Sequence, residues 1–329
     1  MNIIDKINKY AELEPEYDGM LSVHLPMAMY ALAMLGADEA EVDRFSSNYL
    51  KEKDIKKIRY VNEVVIDKKN WKLFLGQRQY FANYRDFFTE EFCHLGTDKF
   101  INLYFNQLIF GISSGAYHAI LRLSYGVVSS NKSEIILGMA YLADSYLELK
   151  SPLTALKQDG FPLTTQVKII SDSLSNGVIK LPKLDGIIFE KMFQISQPQV
   201  FFPIQDSITL SYQNTLEDFS RLGLQLYLST RDFTALHTVT SAQAMRILYP
   251  YIDDKTLALQ LIYQAFCAAY LSIGAPKIDE FTLGAGEKID VESFKKEARL
   301  SDDDHVIKIT YTLIEESLAY NNKLYLKAL

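Results

Sequence analysis

The sequence predicts an all-α chain: a single large multi-helix domain, residues 1–329, with a metal site between helices. Three observations predict it. Apolar residues recur at the helical period through most of the chain. Strand signals are thin, and no βαβ alternation is visible. Four of the five histidines open or sit within apolar helical segments, one to each segment.

Taken in order, "LPMAMYALAMLGA" (25–37) reads as a helix closed by Gly36 at its C-terminus. The segment "WKLFLGQRQYFANYRDFFTEEF" (71–92) reads as one long helix. "FINLYFNQLIFG" and "AYHAILRLSYGVVSS" follow. Ser133 is the expected N-cap of "SEIILGMAYLADSYLEL" (133–149). Further on come "TLEDFSRLGLQLYLST", "TALHTVTSAQAMRILYP", "KTLALQLIYQAFCAAYLSIG" and, after an acidic cap, "SDDDHVIKITYTLIEESLAY" (301–320). Several of these are apolar most of the way round, which implies burial among other helices. Residues 58–67, "IRYVNEVVID", fit a short strand or an irregular arm. Residues 181–207, with Pro, Gly and aromatics mixed, read as a long ordered loop, and 273–290 as a second one. "LGAGEK" (283–288) lacks the ending of a phosphate loop and reads as a turn.

Composition removes some function classes. Hydrophobic residues make up 48 %, enough for a sizeable core. Net charge is −7, so there is no basic excess to neutralise phosphates and no nucleic-acid partner is expected. Cys93 and Cys267 stand far apart without a CxxC motif, which suggests free thiols in a reducing compartment. The N-terminal "MNIIDKINKYAELEPEYDG" carries acids early and lacks an apolar core, so it is not read as a signal peptide. No run of 18 apolar residues exists, so no membrane span is expected. A cytoplasmic location is the expectation, and the oligomeric state is left open.

The chemistry-bearing residues are few. His24, His118, His237 and His305 lie in "VHLPMAMYAL", "YHAILRLSYG", "LHTVTSAQAM" and "DHVIKITYTL". A buried imidazole needs a hydrogen-bond partner or a metal, and one shared centre is more economical than four separate solutions. Such a site would be assembled between helices, one ligand from each. Imidazole-rich sites suit iron, zinc, copper or nickel. His94, in "EEFCHLGT", lies just before a glycine at a helix end, where its charge answers the helix dipole. A competing motif is "GISSG", Gly111 to Gly115, which matches a nucleophile elbow with Ser113 as the serine. It needs a strand before it and a helix after; the preceding "FINLYFNQLIF" fits either state, and no βαβ alternation surrounds it. Arg122 and Arg246 share helices with His118 and His237. They are candidate catalytic clamps for an anionic or phenolate substrate. The alternative is a buried ion pair with an acid such as Asp144 or Asp232.

Four stretches carry a resemblance: "SVHLPMAMYALAMLGA", "GAYHAILRLSYGV", "LHTVTSAQAMRILYP" and "DDHVIKITYTLIEESLAYNNKLYLKAL". In this order they resemble the signatures of the questin oxidase-like family, from about residue 14 to the end. The resemblance implies an oxidase of polycyclic aromatic ketones. The implied reaction is oxygen insertion of Baeyer–Villiger or ring-cleaving dioxygenase type. The four histidines fall within the four signatures, and His94 falls outside them.

The reading is therefore a non-haem metal oxygenase. No GxGxxG fingerprint is visible, so no tightly held flavin or nicotinamide is expected. Oxygen chemistry still needs a one-electron-capable centre, and Fe(II) is the expected metal, with another first-row metal as the alternative. O2 is the co-substrate, and NADPH is the candidate external reductant. The substrate is expected to be a small hydrophobic aromatic ketone or quinone, entering near Phe193, Phe201 and Phe202 of the 181–207 segment. The competing classes are a serine hydrolase using Ser113 and a non-catalytic helical scaffold. Lys308 stands one helical turn from His305. An ammonium beside a dication is repelled, and burial disfavours its charge. Three states fit: an ion pair with Asp304 or Glu315, a neutral acid–base group or ligand, or a carbamate formed with CO2. Four neutral imidazoles leave the metal's charge uncompensated, and the acids before His305 read as a helix cap. Lys308 is therefore expected to be carbamylated or directly metal-bound.

Overall fold

The computed structural model describes residues 2–61, 63–284 and 288–329. Its helices run in the order α1 (Ile3–Asn8), α2 (Leu25–Met34), α3 (Glu39–Glu52), α4 (Phe81–Leu95), α5 (Thr97–Leu108), α6 (His118–Val128), α7 (Lys132–Asp144), α8 (Leu163–Ser175), α9 (Ile188–Ile195), α10 (Pro198–Phe201), α11 (Leu216–Thr230), α12 (Phe233–Leu248), α13 (Lys255–Ser272), α14 (Val291–Leu300) and α15 (Asp304–Ala319). Strand is confined, among the described residues, to two two-residue pairs. β1 (Glu16–Tyr17) and β2 (Leu21–Ser22) pair antiparallel, and β3 (Leu156–Lys157) and β4 (Leu210–Ser211) pair parallel. The all-α reading holds.

Some boundaries differ from the sequence reading. Residues 71–92 are not one helix. Two short 3-10 turns, Trp71–Phe74 and Arg78–Tyr80, precede α4. The break falls at Gly76, whose φ of +76° is left-handed, and a Cβ there would lie 2.7 Å from the Tyr146 carbonyl oxygen. Residues 181–207 are mostly helical rather than a loop. Ile188, Met192 and Ile195 form a short amphipathic face in α9, and Pro198 starts α10 instead of ending structure. The described part of 58–67 is irregular. Asn131, two residues before Ser133, is the N-cap of α7. The middle of "LGAGEK", residues 285–287, lies outside the described residues.

The core is built on α2, α6, α7, α12, α13 and α15, each largely buried. α6 and α7 run in backbone contact through Gly126 and Gly138. A Cβ on Gly138 would sit 2.5 Å from the Leu123 main chain. α12 crosses α6, α11 and α15, and α15 packs on α2. Thus α2, α6, α12 and α15 adjoin one another, and they are the four elements associated with the four signature histidines.

Candidate metal centre

Local sequence sets each imidazole at or near a helix start. His24 is the N-cap residue of α2, followed at once by Leu25 and Pro26. Its main-chain N–H donates to the Tyr49 hydroxyl at 2.8 Å. His118 opens α6 after three consecutive left-handed residues, Gly115, Ala116 and Tyr117. His237 lies in the first turns of α12, whose start is capped by Asp232. His305 lies in the first turn of α15, capped by Asp303.

The four rings close a circuit. Centroids are 4.5 Å apart for His24–His118, 4.9 Å for His118–His237, 5.9 Å for His237–His305 and 4.8 Å for His24–His305. Every Nδ1 is engaged on the outer side. His118 Nδ1 bonds the Gly115 carbonyl, and His237 Nδ1 bonds the Phe233 carbonyl at 2.7 Å. His24 Nδ1 bonds Asp304 Oδ1 at 2.6 Å, and His305 Nδ1 reaches the same oxygen at 2.9 Å and Asp303 Oδ1 at 3.3 Å. Carbonyls and carboxylates only accept, so each Nδ1 carries the proton, and each neutral ring keeps a bare lone pair on Nε2. The Nε2 atoms of His24 and His305 are buried without a partner. Those of His118 and His237 face each other at 3.2 Å. Two lone pairs do not attract. Two nitrogens each about 2.1 Å from one ion lie roughly 3.0–3.4 Å apart, so the spacing suits two ligands of one metal.

Electrostatics agree with that donor set. Burial lowers the pKa of His24 to about 3, helped by the Lys308 charge, so it is neutral at pH 7. Burial likewise pushes His118 and His237 well below the usual histidine value. His305 is raised: burial opposes its charge, but Asp303 and Asp304 outweigh that. Asp304 is buried, yet the histidines around it and Lys308 hold it well below the usual carboxylate range. His24, Asp304 and His305 place one potential ligand atom each within 4.8 Å of one another. Asp304 Oδ1 takes the His24 Nδ1 proton and lies 2.9 Å from His305 Nδ1, the position of an orienting carboxylate behind two imidazoles. The sequence reading gave the acids before His305 the role of a helix cap, with Asp304 also a possible partner for Lys308. Asp303 is that cap, but Asp304 turns inward and supplies the negative charge thought to be missing.

Lys308 is 3 % exposed and forms no salt bridge within 4 Å among the described residues, with Asp304 and Glu315 included. Burial lowers its pKa to about 8 against the pull of Asp304 and Asp303, and its charge depresses all four imidazoles. It therefore stands with the histidines.

The remaining candidates sit elsewhere. Arg122 makes a buried two-pronged pair with Glu134, at 2.8 and 3.0 Å. Arg246 pairs with the fully buried Glu316 at 2.7 and 2.8 Å. Neither guanidinium is free to clamp a substrate, and the partners are not Asp144 or Asp232. Asp144 is buried at the end of α7, and Asp232 is spent on its cap. Ser113 is buried in a turn with no strand before it, and its Oγ has no hydrogen-bond partner, so the nucleophile elbow lacks both its strand and its base. His94 is exposed in the last turn of α4. Phe201 is buried in the core and Phe202 is 60 % exposed, while α9 packs on α13. These aromatics do not meet at the histidines. Tyr49 and Lys53 escaped the sequence reading, as did the place of Asp304 behind two imidazoles.

The all-α bundle thus gathers four imidazoles, a carboxylate and a lysine into one buried cluster, a donor set able to hold a metal ion between helices. Residues 21–313 match the questin oxidase-like family, and the chain belongs to that family. It is accordingly an oxidoreductase, an oxygenase or oxidase of aromatic substrates. No curated protein matches it. No described helix is long and apolar enough to cross a membrane.

Proposed function

We propose that this chain is a non-haem metal oxygenase whose metal, Fe(II) before other first-row ions, is held by the Nε2 atoms of His24, His118, His237 and His305. The observation that carries the reading is four converging imidazoles whose protons are all committed outward. When bound, the metal supplies one-electron chemistry for activating O2 toward a hydrophobic aromatic ketone or quinone. The chain's own residues do the rest. Asp304 and the Gly115 and Phe233 carbonyls fix the rings and their tautomers. Burial keeps three of the imidazoles unprotonated and therefore able to donate. Lys308, as a neutral amine, takes up CO2 and releases a proton, which gives a carbamate anion facing the histidines.

Metal analysis of protein purified without an affinity metal tests this. About one equivalent per chain is expected. Alanine at His24, His118 or His237 is expected to lower it sharply, and alanine at His94 to leave it unchanged. Equal content in all four variants would remove the shared site. Oxygen uptake with a panel of anthraquinones, iron and a reductant then tests the substrate class.

A further inference from the structure

Helix α3 carries no histidine, yet its last turn grips the centre at two points. Tyr49, 2 % exposed, accepts the His24 main-chain N–H at 2.8 Å. One turn on, Lys53 holds its ammonium 4.0 Å above the Tyr49 ring and 3.4 Å from Asp304 Oδ2. The other oxygen of that carboxylate takes the His24 Nδ1 proton at 2.6 Å and lies 2.9 Å from His305 Nδ1. Lys53 also forms part of the wall of a surface cleft of about 610 Å³, beside Tyr17, Glu52 and Asp54. It is the cation that reaches the buried carboxylate from solvent, and its side chain is 20 % exposed against 5 % for Asp304.

The four imidazoles are thus held in two different ways. His118 and His237 are aimed by main-chain carbonyls, which no side-chain change removes. His24 and His305 are aimed by one carboxylate, and that carboxylate depends on a charge for its place. A buried carboxylate without a cation is costly and turns toward whatever donor it can find.

We propose that Lys53 is a positioning residue of the metal centre: by anchoring Asp304 Oδ2 it aims the Nε2 atoms of His24 and His305, and only those two. The proposal rests on the four-histidine metal reading. Removing the ammonium lets the carboxylate swing and unfixes half of the ligand set. Outer partners of metal-bound histidines are typically worth 10- to 100-fold in metal affinity.

The test uses the full chain with Co(II) for affinity and spectrum, and Zn(II) for nitrogen NMR of the imidazoles. Lys53→Met is expected to weaken Co(II) by roughly tenfold, to change the visible bands, and to shift the His24 and His305 signals while those of His118 and His237 stay. Lys53→Arg restores affinity. Lys53→Ala opens a gap from the cleft to Asp304. There n-propylammonium restores affinity, and tetramethylammonium, with no N–H to donate, does not. Wild-type affinity and spectrum in Lys53→Met overturn the proposal. So does a loss spread over all four imidazoles that neither arginine nor propylammonium repairs, which marks a merely structural lysine. Failure of the wild-type chain to bind Co(II) or Zn(II) at all instead removes the four-histidine reading, and this proposal with it.

Discussion

A buried lysine without a salt bridge has few stable states, and among the described residues Lys308 is such a lysine. With its pKa lowered to about 8 by burial, it spends more of its time as a free amine than an exposed lysine does at the same pH. Roughly a tenth of such amines are neutral at pH 7 and roughly nine-tenths at pH 9. Carbamate formation consumes the neutral amine, so it is expected to rise over that interval. Carbon-13 bicarbonate supplied to the metal-loaded protein is expected to give a carbamate signal that grows from pH 7 to 9 and is missing in Lys308→Ala. Lys308→Glu is expected to keep part of the metal. An unlabelled amine at every pH, with metal bound, would contradict this. The histidines were legible in the sequence because an imidazole in an apolar helix is a mismatch that demands a partner. Asp304 was not. Three aspartates precede His305, any of them can cap a helix, and only the rotation of α15 against α2 decides which one turns inward.

At the scale of the helix, α6 and α7 set the tolerance of the site. Their backbones touch at Gly138, where a Cβ would overlap the Leu123 main chain at 2.5 Å. Backbone cannot yield as a side-chain tip can. Gly138→Ala is therefore expected to destabilise the fold by about 1–3 kcal/mol, the usual cost of overpacking. It should also lower metal content, because α6 carries His118 at its start. Denaturant melts and metal analysis of the variant check both; an unchanged midpoint would show that the helices can separate freely. The same close packing explains what the sequence hid. Helical periodicity showed most elements, but not that Gly76 divides 71–92, nor that a proline-rich stretch folds into α9 and α10. Both depend on what the backbone meets in three dimensions. Tyr49 and Lys53 were invisible for a related reason: α3 reads as an ordinary amphipathic surface helix until its neighbours are placed.

Over the whole molecule, the buried imidazoles make stability depend on acid. His24, His118 and His237 have depressed pKa values in the folded chain, so on acidification the unfolded chain takes up their protons first, and stability is lost as pH falls from about 6.5 toward 3. His305 works in the opposite sense. Its raised value adds stability that is complete below about 6.5 and is lost as pH rises through its folded pKa. Three against one, the metal-free protein is expected to melt at progressively lower temperature from pH 6.5 to 4.5. Bound metal is expected to raise the melting temperature most at neutral pH, where the imidazoles are free to donate. A melting temperature that climbs on acidification would show that the histidines are not buried in neutral form.

His24 and Asp304, joined by one hydrogen bond, stand 280 residues apart in the chain. On the ribosome His24 emerges well before Asp304 and His305. At about 5–20 residues per second, roughly 14 to 56 seconds separate the appearance of the two. Through that interval the centre has at most three of its imidazoles and lacks its orienting carboxylate and Lys308. Synthesis thus orders assembly: the full donor set cannot form until α15 docks, so a nascent chain cannot present the completed centre to oxygen before the fold has closed around it.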